Sequence, residues 1–291
     1  MDFRDQADLD PSQVEDRGGS GGGGGFSGFP GGMVVGGGGI VSLIVLVLVF
    51  VLNNVGGGGE PAQRRPPANL SEQCQTGKDA DQSEKCRVVG VVNSIQDYWK
   101  QEISEYRLSK TVLYSGGLRT ACGSASSSTG PFYCPADQRV YLDLSFFDQL
   151  HSRFGAKGGP FAQAYVIAHE YGHHVQNLLG ALDTGSSVPI ELQADCYAGV
   201  WARNAVDTGF YERPFTPAEI SEALDAAAAV GDDRIQQRTT GRIDPESFSH
   251  GSSAQRVSAF QRGYEKGAPT DCDLRGLALT RADSARNRNL S

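Results

Sequence analysis

The chain has no excess of positive charge, although it is 291 residues long. Its 26 Lys and Arg residues are outnumbered by 34 Asp and Glu residues, which gives a formal net charge of −8. Proteins that bind nucleic acid generally carry a basic patch or stripe that meets the phosphates. The sequence offers no such basic face, so we exclude nucleic acid as a partner.

The sequence also lacks any C-x-x-C pair, although it contains six cysteines. This absence argues against a structural zinc knuckle and against a thioredoxin-like redox motif. All six cysteines follow an apolar run near the N terminus, and an even number on one side of a membrane fits disulfides in an oxidising compartment. The alternative is a cytosolic domain with six reduced, partly buried thiols.

Charge is absent from residues 18–59. Within that stretch residues 40–52 read IVSLIVLVLVFVL, which spans only about 20 Å as a helix, short of the roughly 30 Å of a bilayer core. Extension to residues 33–55 supplies 23 uncharged residues, so we predict an uncleaved transmembrane helix there. The flanking glycine tracts argue against a core segment, and the absence of Lys and Arg from residues 18–39, which precede the apolar run 40–52, argues against a signal peptide.

The 38 glycines concentrate in residues 18–39 and 56–59, which separates a low-complexity region from a globular remainder. The remainder is long enough for one core. We predict a disordered acidic and Gly-rich N terminus at residues 1–32 and a transmembrane helix in the bilayer at residues 33–55. A linker follows at residues 56–70, then a folded domain at residues 71–275 and a flexible tail at residues 276–291.

Histidine is scarce, at five residues, yet three of the five lie within residues 169–174. His169, Glu170 and His173 follow the order H-E-x-x-H. Residues i and i+4 of an α-helix lie on one face about 6 Å apart, so the two imidazoles can reach one ion. Pro160 suits the start of this helix and Gly180 its end. We therefore favour a metal site over a buried helix whose histidines are satisfied by hydrogen bonds.

The third ligand is not a histidine on the same helix. A hydrolytic zinc usually has three protein ligands and one open position. The pattern H-E-x-x-H-x-x-G-x-x-H is excluded because Gln176 and Leu179 stand where it requires Gly and His. Glu191 and Asp195 share a helix face further along. One carboxylate can bind zinc, while the other accepts the outer N–H of a ligand histidine.

Three segments carry a resemblance to a known family: HEYGHH, ELQADCYAGVWA and SHGSSAQR. With them the sequence resembles the neutral zinc metallopeptidase family of bacterial single-pass membrane proteins, within the zincins that use a helix-borne glutamate as third ligand. The resemblance covers about residues 68–270 and the apolar segment before them. It implies one zinc ion bound by His169, His173 and Glu191, with Glu170 as general base and Asp195 supporting a ligand.

The same resemblance bears on disulfides and location. Together with loop closure it favours the pairs Cys74 with Cys86, Cys122 with Cys134, and Cys196 with Cys272. Basic residues, Arg17 before the apolar run and residues 64 and 65 after it, would mildly place the domain inside the cell. The cysteines indicate the opposite, and the resemblance places the catalytic domain outside the cytoplasm.

Two further features concern substrate. Residues 138–142 are a candidate edge strand that pairs with an extended peptide, although an interior strand without substrate contact is equally consistent. His250 is a candidate donor to the oxyanion of peptide hydrolysis; alternatively, His250 and Arg256 only brace the metal helices. His174, at i+5 from His169, points away from the metal face, and we interpret it as a packing or hydrogen-bonding residue.

The sequence therefore predicts an α+β, predominantly α, zincin-like metallopeptidase domain with a small sheet, preceded by a single transmembrane helix. The expected activity is hydrolysis of protein or peptide substrates by zinc-activated water, with a glutamate as general base. The alternative is a zinc-stabilised envelope module that binds other proteins, or acts as a chaperone, without catalysis.

Overall fold

The computed structural model describes residues 1–18, 69–182 and 187–273, and helices dominate these ranges. The α-helices are α1 (Leu70–Gln73), α2 (Gly77–Gln82), α3 (Glu84–Glu102), α4 (Ser145–Ser152), α5 (Pro160–Leu178), α6 (Ser187–Asn204), α7 (Pro217–Ala229), α8 (Asp232–Thr239) and α9 (Ser253–Lys266). The strands are β1 (Val14–Asp16), β2 (Lys110–Leu113), β3 (Leu118–Thr120), β4 (Gly123–Ala125), β5 (Phe132–Cys134) and β6 (Arg139–Leu142). This architecture confirms that the fold is α+β and predominantly α, with a small sheet.

Helices α5, α6 and α9 pack directly on one another, and glycines set how closely. A Cβ at Gly172 of α5 would meet the Cα of Ala194 in α6 at 2.9 Å. On the other side of α6, a Cβ at Gly199 or Gly263 would collide with the backbone of the facing helix. The absence of side chains at these positions therefore lets the three backbones approach closely. That approach brings the H-E-x-x-H helix and the helix with Glu191 and Asp195 together.

The main sheet has the strand order β1-β2-β6-β5. Strands β1 and β2 and strands β2 and β6 are parallel, whereas β5 runs antiparallel to β6. Of the two alternatives for residues 138–142, the edge strand is wrong and the strand is interior, because β6 lies between β2 and β5. Three of its four residues, Val140, Tyr141 and Leu142, are buried, as expected of a strand covered on both faces. Among the described strands β5 is the edge nearest α5.

The N-terminal residues 1–18 belong to the folded domain, so the prediction that residues 1–32 are disordered is wrong for them. Phe3, Leu9 and Val14 are each at most 5% exposed. The backbone N–H of Asp10 donates to Asn93 of α3 at 2.7 Å, and β1 lies beside β2. The acidic composition suggested a solvated segment, but these three apolar residues suffice to attach it to the core.

The predicted transmembrane helix at residues 33–55 lies outside the described residues, as do most of the linker and the tail. Residues 69 and 70 of the linker are described, and Leu70 opens α1 with 5% exposure. Within the described ranges, no helix combines the length and apolarity needed to cross a membrane.

All six cysteines form disulfides, and the three predicted pairs are confirmed: Cys74–Cys86, Cys122–Cys134 and Cys196–Cys272. The first joins the end of α1 to α3, and the second joins the loop of the β3–β4 hairpin to β5. The third ties the middle of α6 to the last described residues. Each bridge limits the unfolded chain and thereby stabilises the fold.

Candidate metal centre

The predicted ligands come together at the crossing of α5 and α6. His169 Nε2 lies 3.2 Å from Glu191 Oε2, and His173 Nε2 lies 3.5 Å from Glu191 Oε1. One ligand atom from each of the three residues falls within 4.8 Å of the others. All three side chains are buried, with exposures of 2%, 5% and 3% for His169, His173 and Glu191. The structure thus brings together two imidazoles and a carboxylate, as predicted.

The outer nitrogens of both histidines are held by acceptors. His169 Nδ1 lies 2.8 Å from Asp195 Oδ1, and His173 Nδ1 lies 2.8 Å from Gln176 Oε1. These oxygens only accept, so each Nδ1 carries a proton and each Nε2 is left facing Glu191. His173 Nε2 is buried without a hydrogen-bond partner in the described part of the chain. An orphaned imidazole nitrogen beside a carboxylate fits a bound zinc ion.

Burial and neighbouring charges shift the pKa values of the three ligands, often in opposite directions. Burial lowers the pKa of His173 to about 4. Burial also acts to lower the pKa of His169, but the charge of Asp195 and its hydrogen bond prevail and raise it to about 9. Burial acts to raise the pKa of Glu191, whereas the histidines around it hold that pKa well below its usual range. Glu191 therefore stays a carboxylate, the form that binds a metal ion.

Asp195 supports His169 through a buried network that includes Arg256 and Tyr165. Arg256 Nε donates to Asp195 Oδ2 at 2.8 Å, its Nη2 donates to Oδ1 at 2.9 Å, and the Tyr165 hydroxyl donates to Oδ1 at 2.6 Å. Burial acts to raise the pKa of Asp195, but the Arg256 charge prevails and lowers it to about 2. Asp195 thus remains an acceptor for His169, and Arg256 braces the centre from α9.

Glu170 lies next to the first ligand and borders a cavity. Its side chain is 1% exposed, and its Oε2 has no partner among the described residues. Burial raises the pKa of Glu170 to about 7, although the nearby backbone N–H of Tyr133 in β5 acts to lower it. A carboxylate with a pKa near neutrality is suited to take up and release a proton.

His250 reaches the same cavity from the loop before α9. Its Nδ1 lies 3.0 Å from Asp232 Oδ1, and its buried Nε2 has no partner in the described residues. Asp232 Oδ2 also accepts from the backbone N–H groups of Ser249, His250 and Gly251, at 2.7, 2.7 and 3.0 Å. Burial acts to raise the pKa of Asp232, but hydrogen bonds from His250 lower it. The carboxylate therefore fixes the loop and aims the ring at the cavity.

The cavity has a volume of about 50 Å³ and an apolar wall. A water molecule needs about 10–15 Å³ of such space, so the cavity holds a few waters or the end of one apolar side chain. Glu170 and His250 border it on the polar side. The apolar wall comes from α4 and its following loop, from α5 and from α7–α8, through Phe146, Phe154, Val166, Val230 and Ile235.

Sequence reasoning missed the roles of Gln176 and Asp232. In the sequence, Gln176 serves only to exclude the pattern H-E-x-x-H-x-x-G-x-x-H. It also lies three positions after His173 and so shares its helix face. That spacing could have signalled the hydrogen bond. Asp232 opens α8 and meets His250 only through the fold, since 18 residues separate them, and no local pattern indicates the contact.

Two histidines of one helix and a glutamate of a second helix are the ligand set typical of a hydrolytic zinc centre, and the buried Glu170 lies beside them. Over residues 1–274 the chain matches the family described as "Putative neutral zinc metallopeptidase", and it belongs to that family.

Two similar proteins both carry the description "Uncharacterized protein". The protein Rv2575 of Mycobacterium tuberculosis strain H37Rv is 52% identical over 216 residues, which are 69% of this chain and 74% of that protein. The protein YpfJ of Escherichia coli strain K12 is 45% identical over 207 residues, which are 65% of this chain and 70% of that protein. No solved structure matches the chain. The comparison therefore identifies the family of the chain, but the relatives' names add no activity to it.

Proposed function

We propose that the chain is a zinc-dependent endopeptidase that hydrolyses peptide bonds in protein substrates. The observation that carries this proposal is a pair of buried polar atoms, Glu170 Oε2 and His250 Nε2, that lack partners in the described residues and belong to side chains lining one cavity. That cavity also touches the ligand His169. A site that only stabilises the fold has no need of such groups.

His169, His173 and Glu191 would hold the zinc ion. When bound, zinc lowers the pKa of a water toward about 7 and polarises a carbonyl group. Glu170 accepts the proton that this water loses and delivers it to the nitrogen of the leaving amine. The Glu170 side chain is buried beside the cavity, and its Oε2 has no partner among the described residues, which places it for both halves of that transfer.

His250 stabilises the negative charge that grows on the carbonyl oxygen of the scissile bond. Because Asp232 Oδ1 lies 3.0 Å from Nδ1, Nε2 is the ring nitrogen left to face the cavity and to donate to that carbonyl oxygen. Donors aimed at such an oxygen typically contribute about 3 kcal/mol to catalysis. The contact of the His250 side chain with the cavity favours this role over simple bracing.

The remaining parts of the site position the substrate. Strand β5 lies at the sheet edge beside α5 and Glu170, where an extended peptide can add to it through main-chain hydrogen bonds. The apolar cavity next to Glu170 and His250 accommodates the end of an apolar side chain adjacent to the scissile bond. The three disulfides support a location outside the cytoplasm.

The variant Glu170→Gln tests the proposal, with Glu105→Gln as a matched control at an exposed position. We expect the parent to cleave casein, to lose activity with a chelator and to regain it with zinc. Glu170→Gln should retain one zinc per chain but lose activity by about 10²–10⁴-fold, while Glu105→Gln cleaves like the parent.

Two results would contradict the proposal. One is a Glu170→Gln variant that cleaves casein at the parental rate. The other is a parent that cuts no substrate while chelation melts the domain, which would favour the non-catalytic envelope module.

A further inference from the structure

His174 is the histidine of HEYGHH that faces away from the ligands. Its side chain is fully buried. Its Nε2 lies 2.6 Å from the backbone carbonyl oxygen of Arg107. A carbonyl only accepts, so Nε2 carries the proton and Nδ1 presents a lone pair.

That lone pair faces the hydroxyl of Tyr133 at 3.0 Å. With Nδ1 as acceptor, the Tyr133 hydroxyl donates. The same hydroxyl accepts from Asn177 Nδ2 at 2.9 Å. His174 and Asn177 are three positions apart on α5 and so share a helix face. Two hydrogen bonds thus attach the Tyr133 side chain to α5, and we call His174, Asn177 and Tyr133 the Tyr133 latch.

The Tyr133 latch acts on the strand that faces the proposed chemistry. Tyr133 is the middle residue of β5, and its backbone N–H lies near enough to the Glu170 carboxylate to act on its pKa. The side chain of Tyr133 is tied to the C-terminal half of α5, one turn beyond Glu170. Any displacement of Tyr133 therefore moves the part of β5 that lies beside Glu170 and the strand edge available to a peptide.

We infer that His174 is a positioning residue for peptide hydrolysis, because it fixes Tyr133 and through it the part of β5 that lies beside Glu170. This inference rests on the proposed function. His174 does not touch the reacting atoms, and its effect passes through one hydroxyl group. A packing role is the competing explanation, since the rings of Tyr106 and Tyr171 lie against the imidazole at 5.4 and 6.4 Å.

The two explanations differ in their dependence on the Tyr133 hydroxyl. His174→Leu keeps apolar bulk but removes the acceptor, whereas His174→Asn places an amide oxygen near the position of Nδ1. Tyr133→Phe removes the hydroxyl and keeps the ring. The full-length parent, the three single variants and the Tyr133→Phe/His174→Leu double variant are compared for zinc content, kcat and KM on one fluorogenic peptide.

We expect His174→Leu and Tyr133→Phe each to lower kcat about tenfold, with one zinc per chain and KM within about threefold of the parent. The double variant should lose no more than either single variant, because both remove the same contact. His174→Asn should retain kcat within about threefold of the parent.

Additive losses in the double variant, unchanged kcat in Tyr133→Phe, or loss of zinc from either single variant would each overturn the inference. A His174→Asn variant as impaired as His174→Leu would do the same. An inactive parent enzyme overturns the proposed function and this inference together, whereas an active parent with unaffected variants overturns this inference alone.

Discussion

Gln176 controls how His173 presents its ring to a metal ion. Its Oε1 accepts from His173 Nδ1, while its Nε2 donates to the Ile190 carbonyl at 2.7 Å and to Gln193 Oε1 at 2.9 Å. The amide is therefore locked between α5 and α6. An acceptor fixed in this way sets the tautomer and the orientation of the ligand.

The variant Gln176→Leu should weaken zinc binding by about 10–100-fold, because His173 loses the acceptor that orients it. A competition titration with a chelating dye measures the affinity. The matched control is Gln101→Leu, which makes the same replacement at an exposed position. Equal zinc affinities for Gln176→Leu and Gln101→Leu would show that Gln176 has no part in ligand orientation.

At the residue scale, sequence patterns were sufficient to identify a pair of site residues where both lie on one helix face. His169 and His173 are four apart on α5, and Glu191 and Asp195 are four apart on α6, so each pair was recognisable. Contacts between residues that are distant in the sequence could not be recognised in this way. His250 meets Asp232 through a loop, and the sequence left its role undecided between an oxyanion donor and a brace.

Among the elements, α8 carries the cavity residue best suited to test substrate preference. Ile235 is 6% exposed and lines the apolar wall that faces Glu170. Its replacement by a larger residue reduces the space for a substrate side chain without touching the metal ligands. One methylene group in such a pocket is worth about 10–200-fold in discrimination.

We therefore predict that Ile235→Phe lowers kcat/KM at least tenfold for peptides with Leu or Phe beside the scissile bond, relative to peptides with Ala there. A peptide library with mass-spectrometric mapping of cut sites gives both rates. Ile243→Phe, at a position that is 50% exposed, is the control. An unchanged preference in Ile235→Phe would exclude the cavity as the specificity pocket.

Element types were predictable where local signals agreed. Thr216 and Glu219 at the start of α7 form a capping box, which their spacing of three residues indicates without knowledge of the fold. The edge position of β5 was not predictable, because strand order depends on which segments pair over long distances. β1 pairs with β2 across 97 residues (Val14 with Thr111), and no pattern near either segment signals that contact.

For the whole molecule, the packing of residues 1–18 constrains any attachment to a membrane. These residues form a strand of the main sheet, and Phe3 occupies space left by Gly90, where a Cβ would meet the ring at 2.5 Å. One bilayer crossing between residues 18 and 69 would separate residues 1–18 from the domain. A single-pass span at residues 33–55 and the observed packing therefore exclude one another in one folded molecule.

We predict that an epitope at the N terminus and one inserted at Gly241, an exposed position after α8, lie in the same compartment. Protease added to intact cells and to permeabilised cells should digest both epitopes or protect both. Digestion of one epitope with protection of the other in intact cells would show that residues 1–18 do not pack as described.

The folded domain was predictable from the sequence because motif spacing pointed to one zincin domain, whereas its three disulfide pairs were expected from loop closure together with the family resemblance. The place of residues 1–18 was not, since a composition rich in Asp and Glu conceals three buried anchors, Phe3, Leu9 and Val14.

Anomalous diffraction at the zinc absorption edge, from crystals of the full chain grown with zinc, tests the account most directly. We expect a single strong peak about 2.0–2.2 Å from His169 Nε2, His173 Nε2 and a Glu191 carboxylate oxygen, with Glu170 close by but not a ligand. A peak held by other residues, or no peak between these three side chains, would contradict the assignment of this site as a zinc centre.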